Sequence, residues 1–198
     1  MSFKEEVFIY GIVFLIVVIS IKMYLESDAY NLKCIVSTVD GDKYCVRETA
    51  QIQQSADLLA KVAAKCKTLV AFMKKKYPDR DDVDRLYKGF NETKITETLP
   101  TSTLTAYSEN KGQKIAFCLN KKKGGTEMID INTLTFVAIH ELSHIMTISI
   151  GHNQDFWENF KFLLEGAIEI KIYIPEDYKE KPKEYCSMMI KDNPYYDI

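Results

Sequence analysis

The chain has 198 residues, of which 46% are hydrophobic and 27% charged, so it can fold one ordinary globular domain and is neither fibrous nor disordered throughout. A formal net charge of -2 excludes a global basic field that would draw nucleic acid regardless of sequence. The KKK runs at 74–76 and 121–123 leave room for a nucleic-acid partner without indicating one.

From Val7 to Ile21 the chain carries no charge, and with Lys22 snorkelling the apolar stretch runs on through Leu25. A bilayer needs roughly 17–25 such residues. No small-x-small cleavage site follows, and Glu5 and Glu6 stand beside Lys4, so an uncleaved anchor is expected over a cleaved signal peptide. The expected organisation is an anchor over 1–26 and a folded domain over 27–198. Lys22 and Lys33 after the span, against Lys4 before it, favour the cytoplasmic side for that domain in a single-pass protein.

After a polar link, Glu26 to Asn31, CIVSTVDGDKYCVRE offers two β-rich runs around Asp-Gly, a hairpin signal. A turn on Asp40-Gly41 sets Cys34 opposite Arg47, whereas a Cys34–Cys45 bridge needs the turn centred on Val39-Asp40. Five cysteines without a CxxC pair therefore read as reduced thiols, and the Asn91-Glu92-Thr93 sequon matters only for a lumenal domain. From about Thr49 to Tyr77, residues Ile52, Ala56, Leu59, Ala63, Cys66, Val70, Met73 and Tyr77 form one stripe of a long amphipathic helix that Pro78 ends. Packing on the domain's own sheet is expected for it, ahead of a coiled-coil seam.

Asp81 to Phe90 reads as a short helix, Lys94 to Ser108 as extended chain or loop, and Ile115 to Leu119 as a strand. KKKGGTE is an exposed loop. Asp130 or Asn132 can cap a helix that carries LTFVAIHELSHIM and fades near Gly151. A last helix begins near Asn153 or Asp155, with Phe156, Phe160, Leu163, Leu164, Ala167 and Ile168 on one face and Pro175 as its limit.

All three histidines lie in HELSHIMTISIGH, at 140, 144 and 152. Positions i and i+4 share a helix face, so His140 and His144 can ligate one Zn²⁺. Glu141, about 100° further round the helix, is placed to act as general base on a water at that metal. The third ligand comes from beyond this turn. His152, past a glycine that lets the chain reverse, is favoured over Glu158 or Glu165. Cys118 or Cys186 could instead close the fourth position of a purely structural zinc site.

HELSHIMTISIGHNQDFWENF resembles the active-site region of the zincin metallopeptidases of the SprT-like and WLM (Wss1-like) group. Gly151-His152, Asp155, Phe156 and Trp157 match the second half of that pattern. The wider run, from YCVRE through NKGQKIAFCLN and NTLTFVAIHELSHIMT to Tyr185-Cys186, is similar to WLM-like metallopeptidases of large DNA viruses, which often carry an N-terminal anchor. The interval from His144 to His152 is longer than in metzincins, which sets this pattern apart from theirs.

The resemblance implies an α+β zincin-like fold: a small antiparallel or mixed sheet, a long backing helix, the HExxH helix and a C-terminal helix, here after a transmembrane helix. It implies a zinc-dependent endopeptidase acting on protein or peptide substrates at a cellular or virion membrane. Ile115, Ala116, Phe117, Cys118 and Leu119 would be the rim strand that pairs with substrate backbone. Tyr173, Tyr178 and Tyr185 are candidate donors to the scissile carbonyl, and Tyr185 to Met189 a candidate methionine turn beneath the metal. Two other readings stand beside this one. One is a zinc-bearing structural membrane or virion protein without turnover; the other, by analogy with SprT-like and Wss1-like enzymes, is a protease for proteins crosslinked to DNA.

Overall fold

The computed structural model describes residues 3–25, 32–90 and 94–197. The Glu26–Asn31 link, the expected boundary at 26/27 and the Asn91 sequon lie outside them. Helix α1, Phe3–Leu25, contains a span from Glu6 to Tyr24 with mean hydropathy 2.4, and every side chain from Glu6 to Tyr24 is exposed. It is long and apolar enough to cross a bilayer.

The folded part begins with the hairpin β1 (Lys33–Val36) and β2 (Lys43–Val46), followed by the helices α2 (Ile52–Lys76) and α3 (Asp81–Gly89). Three short strands follow, β3 (Ile95–Glu97), β4 (Ala106–Glu109) and β5 (Lys114–Phe117), then α4 (Ile131–Met146) and α5 (Gln154–Glu169). A hairpin of β6 (Lys183–Tyr185) and β7 (Met188–Ile190) follows, and then a 3-10 turn, Pro194–Tyr196. The main sheet has the order β1-β2-β3-β5-β4, with β2-β3 and β3-β5 parallel and the two outer pairs antiparallel. This is an α+β, mixed-sheet, zincin-like architecture.

The stripe expected on α2 is its packing face. Ala56, Leu59, Ala63, Cys66, Val70 and Met73 are all buried, in one core with Val46, Ile95, Ile115 and Phe117 from the sheet and Leu142 and Ile145 from α4. Each fully buried aliphatic side chain contributes about 1.5–3 kcal/mol over its exposed state. Gly166 of α5 allows a close approach to α2, because a Cβ there would meet Met73 Sδ at 2.5 Å.

Three expectations need correction. The hairpin pairs Cys34 with Cys45, and the two are disulfide-bonded. The local Asp-Gly preference loses to tertiary contacts at the turn and at the open end of the hairpin. Asp57 of α2 accepts hydrogen bonds from the Ser37 hydroxyl and from the Thr38 amide and hydroxyl, while Arg47 turns inward so that its amide and guanidinium donate to Glu97. Second, Cys118 is bonded to Cys186, so neither is a reduced thiol or a free metal ligand; only Cys66, buried, remains a thiol. Third, strand Ile115–Leu119 is observed as Lys114–Phe117, lies between β3 and β4, and has no free edge; Ile115, Ala116, Phe117, Cys118 and Leu119 are all buried. The free edge next to the HExxH helix is β4, which overlaps the end of the segment Lys94 to Ser108 expected to be extended or loop.

Candidate metal centre

Asp130 starts α4 as anticipated, its carboxylate accepting from the Thr133 amide at 2.9 Å and the Thr133 hydroxyl at 2.7 Å. The helix is buried on nearly every side, as a core helix must be. It ends at Met146, earlier than the expected fade near Gly151. Thr147 is extended, and the Met146 carbonyl accepts from the Arg85 guanidinium instead of continuing the helical ladder.

One turn apart, the rings of His140 and His144 stand 4.9 Å from centroid to centroid. The chain reverses through Gly151, at φ +88°, and returns His152 so that its Nε2 is 3.1 Å from His140 Nε2. Two nitrogens bound tetrahedrally to zinc at roughly 2.0–2.1 Å are themselves ~3.3 Å apart. One nitrogen from each of the three imidazoles lies within 4.8 Å of the others, so the donor set fits a zinc ion with a position left open. Glu158 and Glu165 are exposed on α5 and are not part of the cluster.

Burial, then His144 and His152, hold the His140 pKa down to about 3; burial, His152 and Lys111 hold that of His144 down to about 4. Both rings are therefore neutral near pH 7, the state that ligates. Glu141 is 4% exposed, and burial holds its carboxyl up to about 8.

α5 supplies the floor of the site. Phe156, fully buried, lies 4.9, 4.4 and 4.6 Å from the ring centroids of His140, His144 and His152. The Trp157 indole donates to the His152 carbonyl at 3.1 Å, and the Ser149 hydroxyl to Asp155 at 2.7 Å. The floor is thus aromatic. The proposed methionine turn is the β6–β7 hairpin, whose Met188 and Met189 are exposed, with Met188 Sδ 3.6 Å from the Thr105 hydroxyl. Tyr173, Tyr178 and Tyr185 are core residues, each at 2% exposure or less, and Tyr185 donates to the Thr105 carbonyl. The helical stripe places Phe156 in the core and the family resemblance places it just after the third histidine; its contact with all three rings joins the two roles.

Fold and site together define a zincin-like domain. The WLM domain model matches residues 45–193, and the chain belongs to that family. It is 27% identical to the uncharacterized protein R325 of Acanthamoeba polyphaga mimivirus over 193 residues, 93% of this chain and 96% of that protein. To the uncharacterized protein 136R of Invertebrate iridescent virus 6 it is 35% identical over 81 residues, 41% of this chain and 44% of the relative. Wss1 from Saccharomyces cerevisiae, known as a crystal structure, superposes with a TM-score of 0.48 at 18% identity, covering 64% of this chain and 88% of that one.

Proposed function

We propose that this protein is a membrane-anchored, zinc-dependent endopeptidase. The observation that carries the proposal is the convergence of three imidazoles beside Glu141 in a chain of the WLM family. His140, His144 and His152 would hold the zinc. When bound, zinc supplies Lewis-acid polarisation of a carbonyl and a lowered pKa for a water. Glu141 takes the proton from the attacking water and delivers it to the leaving amine. Burial alone holds its carboxyl toward the neutral form; with a metal bound beside it, the ionised form that can accept a proton would be favoured.

Substrate backbone adds to the free edge of β4. Cys118 donates its amide to the Thr105 carbonyl, so Thr105, Tyr107 and Glu109 turn their amides and carbonyls toward β5. By the same alternation, Ala106 and Ser108 present theirs outward, available to an extended peptide. Such pairing selects for extended conformation more than for side chain. Helix α1 supplies the anchor, which confines the activity to proteins near one membrane.

The test uses full-length protein in detergent with unfolded casein as substrate. Wild type should cleave it, a chelator should stop cleavage, and Glu141→Gln should lose about 10²–10⁴-fold in rate while retaining its zinc. Equal behaviour of wild type and Glu141→Gln would transfer the protein to the class of zinc-bearing scaffolds. Resistance of the full chain to alkaline carbonate extraction, lost on deleting residues 1–25, tests the anchor.

A further inference from the structure

We infer that Lys111 is a positioning residue for the third metal ligand: its ammonium gathers the end of α4 and the segment after it so that His152 returns to His140 and His144. The inference rests on the zinc reading above. Lys111 Nζ donates to three backbone carbonyls, those of His144 at 3.0 Å, Thr147 at 2.7 Å and Ser149 at 3.2 Å. A lysine ammonium has three donors, and each finds an acceptor here. The acceptors come from the last turn of the helix, its C-cap and the loop beyond. One charge therefore fixes the path by which the chain leaves the second histidine and heads for the third. A cation at a helix C-terminus is also favoured by the helix dipole.

The placement of Lys111 is strongly determined. It lies in the β4–β5 turn, where Asn110, Lys111 and Gly112 have successive φ values of 46°, 56° and 104°. Non-glycine residues in this region are uncommon and are held there by surrounding structure. That structure is a close approach of two glycines. A Cβ on Gly112 would sit 2.2 Å from the Gly89 carbonyl oxygen, and a Cβ on Gly89 would meet Ile145 Cγ2 at 2.7 Å and the Lys111 carbonyl oxygen at 2.8 Å. The turn is pressed between the ends of α3 and α4, and from there Lys111 reaches over the carbonyls at the end of α4. The interval from His144 to His152 is thereby spanned by a tethered segment. The tether belongs to the same hairpin as the β4 edge, so the strand offered to substrate and the loop bearing the third ligand are joined through one side chain.

The experiment compares Lys111→Met, His152→Ala and the double variant, as full-length proteins in detergent, by zinc affinity against a chromophoric chelator and by the visible spectrum of the cobalt-substituted form. Lys65→Met, which removes another lysine bond to a backbone carbonyl, that of Ile172, is the control. Lys111→Met should bind zinc about 10–100-fold more weakly, as loss of outer support for a ligand does. Its cobalt spectrum should shift toward that of His152→Ala, the double variant should bind no more weakly than His152→Ala alone, and Lys65→Met should match wild type. Should Lys111→Met not fold, Lys111→Gln is read in the same way. Wild-type affinity in the Lys111 variant, losses that add in full in the double variant, or an equal loss in Lys65→Met would each overturn the inference. Absence of zinc from the wild type would overturn the metal reading itself.

Discussion

Phe156 and His144 lie ring against ring, 4.4 Å between centroids with planes 31° apart, and the same phenylalanine touches the other two histidines. The floor of the metal site is thus also a buried core position. Phe156→Ala should cost about 3–5 kcal/mol of stability and weaken zinc binding together. His152→Ala, at an exposed position, should weaken zinc binding with little loss of stability in the metal-free protein. Urea denaturation with and without zinc separates the two.

The register of β4 predicts opposite effects for proline at neighbouring positions. At Ser108 the outward amide is lost and the ladder to β5 is kept, so Ser108→Pro should fold, with KM for an extended peptide raised and zinc affinity unchanged. At Tyr107 the amide faces Ala116, and Tyr107→Pro removes a ladder hydrogen bond and should destabilise the domain by about 1–3 kcal/mol. Equal effects at the two positions would place the free edge elsewhere.

Glu141 gives the metal-free protein a pH dependence of defined sign. Its folded-state pKa is raised from 4.5 to about 8 by burial, so the folded state holds the proton that the unfolded state gives up. Stability from this group is complete below about pH 4.5 and is lost as pH rises toward 8, by up to several kcal/mol at roughly 1.4 kcal/mol per unit. Glu141→Gln in zinc-stripped protein should remove that slope and be the more stable protein at pH 8. Denaturation midpoints at pH 5 and pH 8 for both proteins check this.

The Cys118–Cys186 bond closes a separation of 68 residues and pins the β6–β7 hairpin to the end of β5. Replacing both cysteines by serine should cost about 2–4 kcal/mol. In the unreduced native protein, no cysteine should react with iodoacetamide. Four are in disulfides, and burial pushes the Cys66 thiol up to about 12. Mass spectrometry after alkylation reads this directly.

The sequence made plain whatever is set by local periodicity. The α2 stripe survives intact because one helix face meets one core, and His140 and His144 share a face by helical geometry alone. What could not be read there depends on partners distant in the chain. β3 and β4 are three and four residues long in a Thr-rich segment with Pro100, and they are strands because β5 pairs with both. The hairpin register turns on Asp57 and Glu97, neither of which lies in the hairpin. Lys111 carries no local signal, since its acceptors are the carbonyls at positions 144, 147 and 149.

Zinc held by His140, His144 and His152 has a direct readout in X-ray absorption at the zinc edge on purified full-length protein. The spectrum should show one zinc per chain, with three imidazole nitrogens at about 2.0–2.1 Å, one further light ligand and no sulfur. Zinc absent, or bound through sulfur at about 2.3 Å, would contradict that ligand set.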